Sequence, residues 1–211
     1  MLKKLALIMI ASGCLLAVKA DEATLSSSAA NTTNNSVTLG IPMAGATENI
    51  TPNSAWATAL PGSNWVSFAD TGIPNYVVPN GTAVTFSQAF NLNDFAGYET
   101  GAISVLADDT TNVAINGTEI YAANLGGSYP TCSSQPIGCL TSTEATIDLT
   151  PYASLFQTGA NTISFTVYQE NLVSYGLDYA GMVSTPEPGT LALLGSGLIG
   201  LFMMTRRTVL S

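Results

Sequence analysis

Between Ala20 and Pro186 this sequence has no lysine, no arginine and no histidine. Its five basic residues, Lys3, Lys4, Lys19, Arg206 and Arg207, all sit in the two end segments. The stretch between them keeps 13 carboxylates, the chain's 14 acidic residues less Glu187. Each absence removes a class of function. Nucleic acid is excluded as a partner, because binding it requires cationic side chains that displace counterions from phosphate. Anionic lipid and phosphorylated substrates fail for the same reason, apart from contacts to backbone N–H groups. A serine triad, a cysteine–histidine dyad and a histidine zinc site all need an imidazole, and the chain has none to offer.

The N-terminus begins with Lys3 and Lys4, continues as an apolar stretch over residues 5–18, and reaches Val18-Lys19-Ala20 before Asp21-Glu22. A basic start, an apolar middle and a small residue at the cut describe a secretory signal peptide cleaved after Ala20. Ala11-Ser12-Gly13-Cys14 offers an alternative, since it resembles a lipoprotein lipobox with Cys14 as the acylated residue. Ala11 stands where that motif usually has leucine.

At the other end, Pro186-Glu187-Pro188-Gly189 precedes an apolar segment over residues 191–204 and the pair Arg206-Arg207. Proline lacks the N–H and clashes with the preceding turn, so the two prolines separate an apolar helix from what comes before. A helix of about 15 residues reaches only ~23 Å, short of the ~30 Å hydrocarbon core. Gly195, Gly197 and Gly200 weaken it further. The arginine pair places the cytoplasm after the helix and the rest of the chain outside. Pro-Glu-Pro, a short glycine-containing apolar helix and a basic C-terminal cluster together resemble the PEP-CTERM sorting signal of Gram-negative bacteria. The same kind of segment is also called the ice-binding protein C-terminal domain. The resemblance covers residues 185–211. It implies export through the inner membrane, transient anchoring by a short transmembrane helix, and recognition by an exosortase-type membrane protease near Pro186, Glu187 and Pro188. Release to the cell surface or extracellular matrix follows. An ordinary C-terminal anchor with an accidental Pro-Glu-Pro is the competing explanation, and it would usually be longer.

The interior reads as one domain. Residues 21–36, rich in threonine and asparagine, read as a flexible leader, and residues 37–184 as all-β. Short β-branched and aromatic runs alternate with Gly, Pro, Asn and Asp breaks at the spacing of a sandwich. Strands are predicted at 37–41, 65–68, 83–92, 102–107, 112–115, 119–121, 145–149, 162–168 and 176–183, with a helical turn at 150–156. Ile103, Val105 and Ala107 alternate on one face, answered by Ile163, Phe165 and Val167, which is the period of a strand with a buried side. Asn116-Gly117 suits a type I′ hairpin, whose two turn positions both need positive φ. The order of the Asp-Asp strand end, Asn-Gly hairpin, Asp-Leu-Thr-Pro turn and Gly-Ala-Asn-Thr strand start resembles the galactose-binding-like jelly roll. That resemblance implies a fold whose members often bind sugars through loops at one end, but it carries over no binding residue.

Cys132 and Cys139 bracket a loop rich in turn formers, and an even pair in an exported chain reads as a disulfide. The spacing is wrong for a Cys-x-x-Cys redox pair, and no basic neighbour is present to activate a thiol. A zinc site would need two further ligands. Asp108-Asp109 at a strand end is a candidate for Ca²⁺, which favours carboxylate and carbonyl oxygens. Without an accompanying repeat of acids, the favoured assignment is a turn in which one aspartate caps and the other is solvated. Trp56, Tyr98, Tyr121, Tyr129, Tyr175 and Tyr179 are candidates for stacking on sugar rings, set against the commoner role of aromatics in a sandwich core. No resident cofactor is expected.

These readings converge on a non-enzymatic, exported protein associated with extracellular polysaccharide. A structural or adhesive matrix component without a discrete ligand is one alternative. A carboxylate-dependent glycan hydrolase is another, since the acids for a two-carboxylate mechanism exist although no pair stands out.

Overall fold

The computed structural model describes residues 21–34, 47–74, 76–93, 100–125, 132–134, 136–170, 173–185 and 196–197. The chain divides into two units, Asp21–Pro186 and a second made of Met1–Ala20 with Glu187–Ser211. Only Ser196 and Gly197 of the second unit are described, so the signal peptide with its cut after Ala20, Cys14 and the C-terminal helix lie outside the described residues. Among the described residues no helix is long and apolar enough to cross a membrane.

The first unit is all-β. Its strands are β1 (Glu22–Ser26), β2 (Thr33–Asn34), β3 (Glu48–Asn49), β4 (Val66–Ser67), β5 (Ala83–Leu92), β6 (Thr100–Asp108), β7 (Thr110–Thr111), β8 (Val113–Ile115), β9 (Thr118–Tyr121), β10 (Ala145–Asp148), β11 (Gly159–Tyr168) and β12 (Gly176–Ser184). One antiparallel sheet runs β10-β6-β12-β4-β3, with β1 also paired to β12. The other runs β2-β5-β11-β8-β9, with β7 also paired to β11. We refer to them as the first and second sheets. Each is built on one long pair: β6 with β12, from Asp108↔Gly176 to Thr100↔Ser184, and β5 with β11, from Leu92↔Gly159 to Ala83↔Tyr168.

Alternation sends one set of side chains from each long strand into the space between the sheets. Ile103, Val105 and Ala107 of β6 and Ile163, Phe165 and Val167 of β11 are all buried in the central apolar cluster, as their two-residue period predicts. Phe165 stacks on Tyr179 of β12 with ring centroids 4.3 Å apart. The turn between β8 and β9 has Asn116 at φ 48° and Gly117 at φ 82°, the two positive values a type I′ hairpin requires. Asn116 is then fastened by accepting from Thr162 N and donating to Leu155 O and Asn161 Oδ1. Residues Thr150–Leu155 form the expected single helical turn, as a 3-10 helix.

The supposed leader is different. Residues 22–26 form β1 and pair with β12 from Glu22↔Ser184 to Ser26↔Ala180. Ala23 and Leu25 point inward and are buried, while Glu22 and Thr24 face solvent. A five-residue strand with one large apolar side chain has too little local signal to stand out. Its partner lies more than 150 residues away in sequence, as the Asp21 to Thr185 hydrogen bonds show. The strand predicted at 37–41 lies outside the described residues.

Candidate functional site

The outer face of the first sheet is split in two. Reading across β6 and β12, the pairs Asp108/Gly176 and Leu106/Asp178 lie at one end, followed by Ser104/Ala180, Ala102/Met182 and Thr100/Ser184. Over the first two pairs sits a second, smaller apolar cluster outside the sandwich: Ile50, Trp65, Leu106, Cys132 and Cys139, with Trp56, Ala57, Leu60 and Leu140 packed on it. Trp65 and Leu106 point outward because their neighbours Val66, Val105 and Ala107 point inward. The loops carrying Trp56 and the disulfide then cover them. Trp56 and Trp65 lie 4.4 Å apart between ring centroids. Gly176 lets Trp56 lie close, because a Cβ at that position would stand 3.0 Å from the Trp56 ring and the ring would have to give way. The disulfide Cys132–Cys139 forms as the spacing suggested, with Cα atoms 4.9 Å apart. Thr143 Oγ1 donates to Cys132 O, and Cys139 N donates to the same carbonyl.

Both aspartates of the Asp108-Asp109 pair are buried, at 3% and 2% exposure. The turn with one solvated carboxylate is therefore corrected: neither faces water. Asp109 Oδ2 accepts from Glu170 N at 2.7 Å and its Oδ1 from Cys132 N at 3.3 Å. Asp108 Oδ2 accepts from Trp56 Nε1 at 2.8 Å, whereas Asp108 Oδ1 is buried with no hydrogen-bond partner. Three of the four oxygens are thus engaged, which leaves little for a Ca²⁺ ion that takes six to eight. Burial, and next the contact with and charge of Asp109, push Asp108 well above the usual carboxylate range, against the pull of Trp56.

A residue absent from the sequence-level candidates organises the boundary between the covered and bare halves. Asp178, fully buried on the outer side of β12, accepts from Ser27 Oγ at 2.8 Å, Ser63 Oγ at 2.5 Å and Leu60 N at 2.8 Å. Burial raises its pKa, and these donors, Ser63 foremost, pull it back down. The carboxylate ties β12, the end of β1 and the 60–63 loop together, and so fixes where Leu60 stands. Nothing in an alternating strand marks such an aspartate as internal, since at that position it is indistinguishable from a solvated one.

Beyond Asp178 the sheet face is bare. Ala102, Ser104, Ala180 and Met182 floor an open groove of about 740 Å³, flanked by Leu60 and Glu144. Three of these floor side chains are small, Met182 stands exposed beside them, and the groove carries no positive charge. Concave sites of this volume, with apolar walls and a few placed hydroxyls, suit a small ligand or a stretch of polymer.

The sequence-level stacking candidates do not meet there. Tyr175 is corrected to a core residue: it is fully buried, donates from its hydroxyl to Val167 O at 2.7 Å and accepts from Val84 N at 3.1 Å. Tyr179 is likewise buried, its hydroxyl 2.8 Å from Thr32 Oγ1. Burial raises the pKa of both phenols. Trp56 is half-buried over the disulfide cluster, and Tyr121 packs half-buried against the main core from β9. Tyr98 and Tyr129 lie outside the described residues. Tyr76, which sequence reasoning passed over, is exposed with Ile73, Val77 and Val173. Val78 N donates to Val173 O, joining those segments at the end of the sandwich above the acid pair.

Residues 184–207 match the model of the PEP-CTERM protein-sorting motif. The chain carries a PEP-CTERM sorting signal. The match takes in Pro186, Glu187, Pro188, Arg206 and Arg207, and it marks an exported protein with a membrane-anchored signal for exosortase processing. These five residues lie outside the described ones. No curated protein matches this chain. Among solved structures it is similar to an FMN-binding beta-glucuronidase from Facaelibacterium prausnitzii L2-6, at 16% identity over 80% of this chain and 23% of that one, with a TM-score of 0.44. A calcium-binding mutant of Bacteroides uniformis beta-glucuronidase 2 aligns at 12% identity over 80% of this chain and 18% of that one, TM-score 0.41. A family 35 carbohydrate binding module from Clostridium thermocellum aligns at 14% identity over 64% of this chain and 91% of that one, TM-score 0.29. The chain therefore spans less than a quarter of the two glucuronidases.

Proposed function

We propose that this is a non-enzymatic protein of the cell surface or extracellular matrix. Its galactose-binding-like sandwich, once released by exosortase, holds neutral polysaccharide in the groove across the first sheet. The groove is the observation that carries the reading: about 740 Å³, floored by Ala102, Ser104, Ala180 and the exposed Met182, and free of cationic groups. A neutral sugar chain needs hydroxyl and carboxylate partners with apolar surface beside them, which Ser104, Thr100, Glu144 and Met182 supply. The charge of the domain repels acidic polymers, so these are held only where divalent cations bridge carboxylates. A glycan hydrolase is disfavoured because two-carboxylate catalysis needs facing acids about 5–10 Å apart across a substrate. Among the described residues Glu144 is the one carboxylate on the groove, and the Asp108-Asp109 pair is buried elsewhere.

The test is affinity electrophoresis and a glycan array on the exported domain, with Ala102→Trp to fill the groove. Retention on neutral glycans that survives salt and is lost in Ala102→Trp supports the reading. Release of reducing sugar from any retained polymer would move the protein to the hydrolases, and no retention on any glycan would leave a purely structural matrix role.

A further inference from the structure

Both tryptophans of the chain, the Cys132–Cys139 disulfide and, among the described residues, the one carboxylate oxygen without a hydrogen-bond partner occupy the same small cluster. One carboxylate oxygen of Asp108 and the two sulfurs of Cys132 and Cys139 all lie within 4.8 Å of one another, and all three residues are buried. While the sulfurs are bonded to each other they are poor ligands. We propose that with the pair in its dithiol form, Cys132, Cys139 and Asp108 make a binding site for a zinc-like divalent cation, and that closing the disulfide expels the ion.

The chemistry balances in both directions. A dithiol reductant supplies two electrons and two protons, becoming a disulfide itself, and leaves Cys132 and Cys139 as thiols. Binding of the cation then sends the thiol protons, and that of Asp108 where it is protonated, to solvent. A disulfide oxidant reverses the first step, taking up the two electrons and two protons to become a dithiol, and frees the metal. Two thiolates and a carboxylate are three ligands, and water supplies the fourth corner of a tetrahedron. At Zn–S distances of about 2.3 Å the sulfurs of such a site stand nearly 4 Å apart. The three ligand atoms already lie within 4.8 Å, so the required movement is small once the S–S bond opens.

The surroundings suit the role. Asp108 Oδ1 accepts from no donor among the described residues, and a cation would take up that buried acceptor. Asp108 Oδ2 is oriented by the Trp56 indole at 2.8 Å, and the Cys132 end of the loop is held by Asp109 Oδ1 and Thr143 Oγ1. Counted along the sequence the site lacks ligands. Folding supplies the third one, 24 residues before Cys132.

The experiment titrates reduced, exported protein with Cd²⁺ and Zn²⁺ under anaerobic conditions, against oxidised protein, Cys132→Ser and Asp108→Asn. The expected result is one ion per chain, a thiolate-to-cadmium charge-transfer band, and zinc affinity at least about tenfold weaker in Asp108→Asn, since even partners outside the ligand shell commonly cost that much. Cys132→Ser and the oxidised protein should show neither band nor uptake. Should Asp108→Asn fail to fold, tryptophan emission of the wild type provides the independent reading, because capture of Asp108 alters the Trp56 hydrogen bond: a shift saturating at one equivalent supports the site, and no shift refutes it. Unchanged affinity in a folded Asp108→Asn, equal uptake by oxidised protein, or one ion shared by two chains would each overturn the proposal.

Discussion

The two halves of one sheet face, built on the same pair of strands, have opposite fates. At the Asp108/Gly176 and Leu106/Asp178 end, outward-facing side chains are roofed by Trp56, Trp65 and the disulfide loop. In the next two outward pairs, Ser104/Ala180 and Ala102/Met182, the side chains are left open. The strand geometry is the same in both places, so the difference comes from side-chain size and from Asp178, which stops the roof by pinning Leu60 N and Ser63. The bulky Trp65 and Leu106 lie under a cover, while the small Ala102, Ser104 and Ala180, with the exposed Met182 beside them, leave a surface available to something else.

Removing the roof should have the largest effect. Trp65→Ala deletes a side chain that is 1% exposed, and the loss should be about 3–5 kcal/mol by denaturant unfolding. The same change should leave the centre of β5–β11 protected in hydrogen exchange if the outer cluster is a separate layer. Cys132→Ser with Cys139→Ser should cost about 2.5 kcal/mol in the chain-entropy model. Melting wild-type protein with and without reductant checks that figure, and an equal melting temperature in both would show that the loop closure contributes nothing.

The covered half should also govern the pH dependence. Burial raises the carboxyl pKa values of Asp108 and Asp178, so the folded domain keeps protons that the unfolded chain releases above its ordinary value of about 3.9. Stability then falls as pH rises from that value through the raised ones. Mutual repulsion of 13 carboxylates with no opposing base (14 acidic residues less Glu187) acts in the same direction. The melting temperature should therefore be higher near about pH 5 than about pH 8, and Asp108→Asn, which cannot ionise, should flatten the slope. A profile that rises with pH in this range would contradict the burial account of both aspartates. The smallest effect is expected on the bare half, where Ala102→Trp should change stability by no more than about 0.5 kcal/mol while abolishing glycan retention.

Legibility followed the same division. Strands β5, β6 and β11 stand out in the sequence because each carries three or more alternating apolar residues, and the Asn116-Gly117 turn because its chemistry is local. The aromatic candidates were read less well. Tyr175 has the same one-letter signature whether its ring faces a ligand or the core, and only the hydrogen bonds with Val84 and Val167 settle which. Tyr76, on a loop without periodic neighbours, gave no signal at all.

By itself the sequence determined the exported, sorted character of the chain, the all-β class and the cysteine pairing. Each depends on order and spacing along the chain: Pro-Glu-Pro before an apolar segment and two arginines, period-two alternation, and two cysteines closing a short loop. Tertiary structure alone decided that residues 22–26 are a strand, that Asp108 and Asp178 are internal, and that a groove lies open beside a roofed half. Those outcomes rest on contacts between residues roughly 50 to 160 positions apart. Such pairings require loop closure first, and no local pattern records which distant partner will be there when the loop closes.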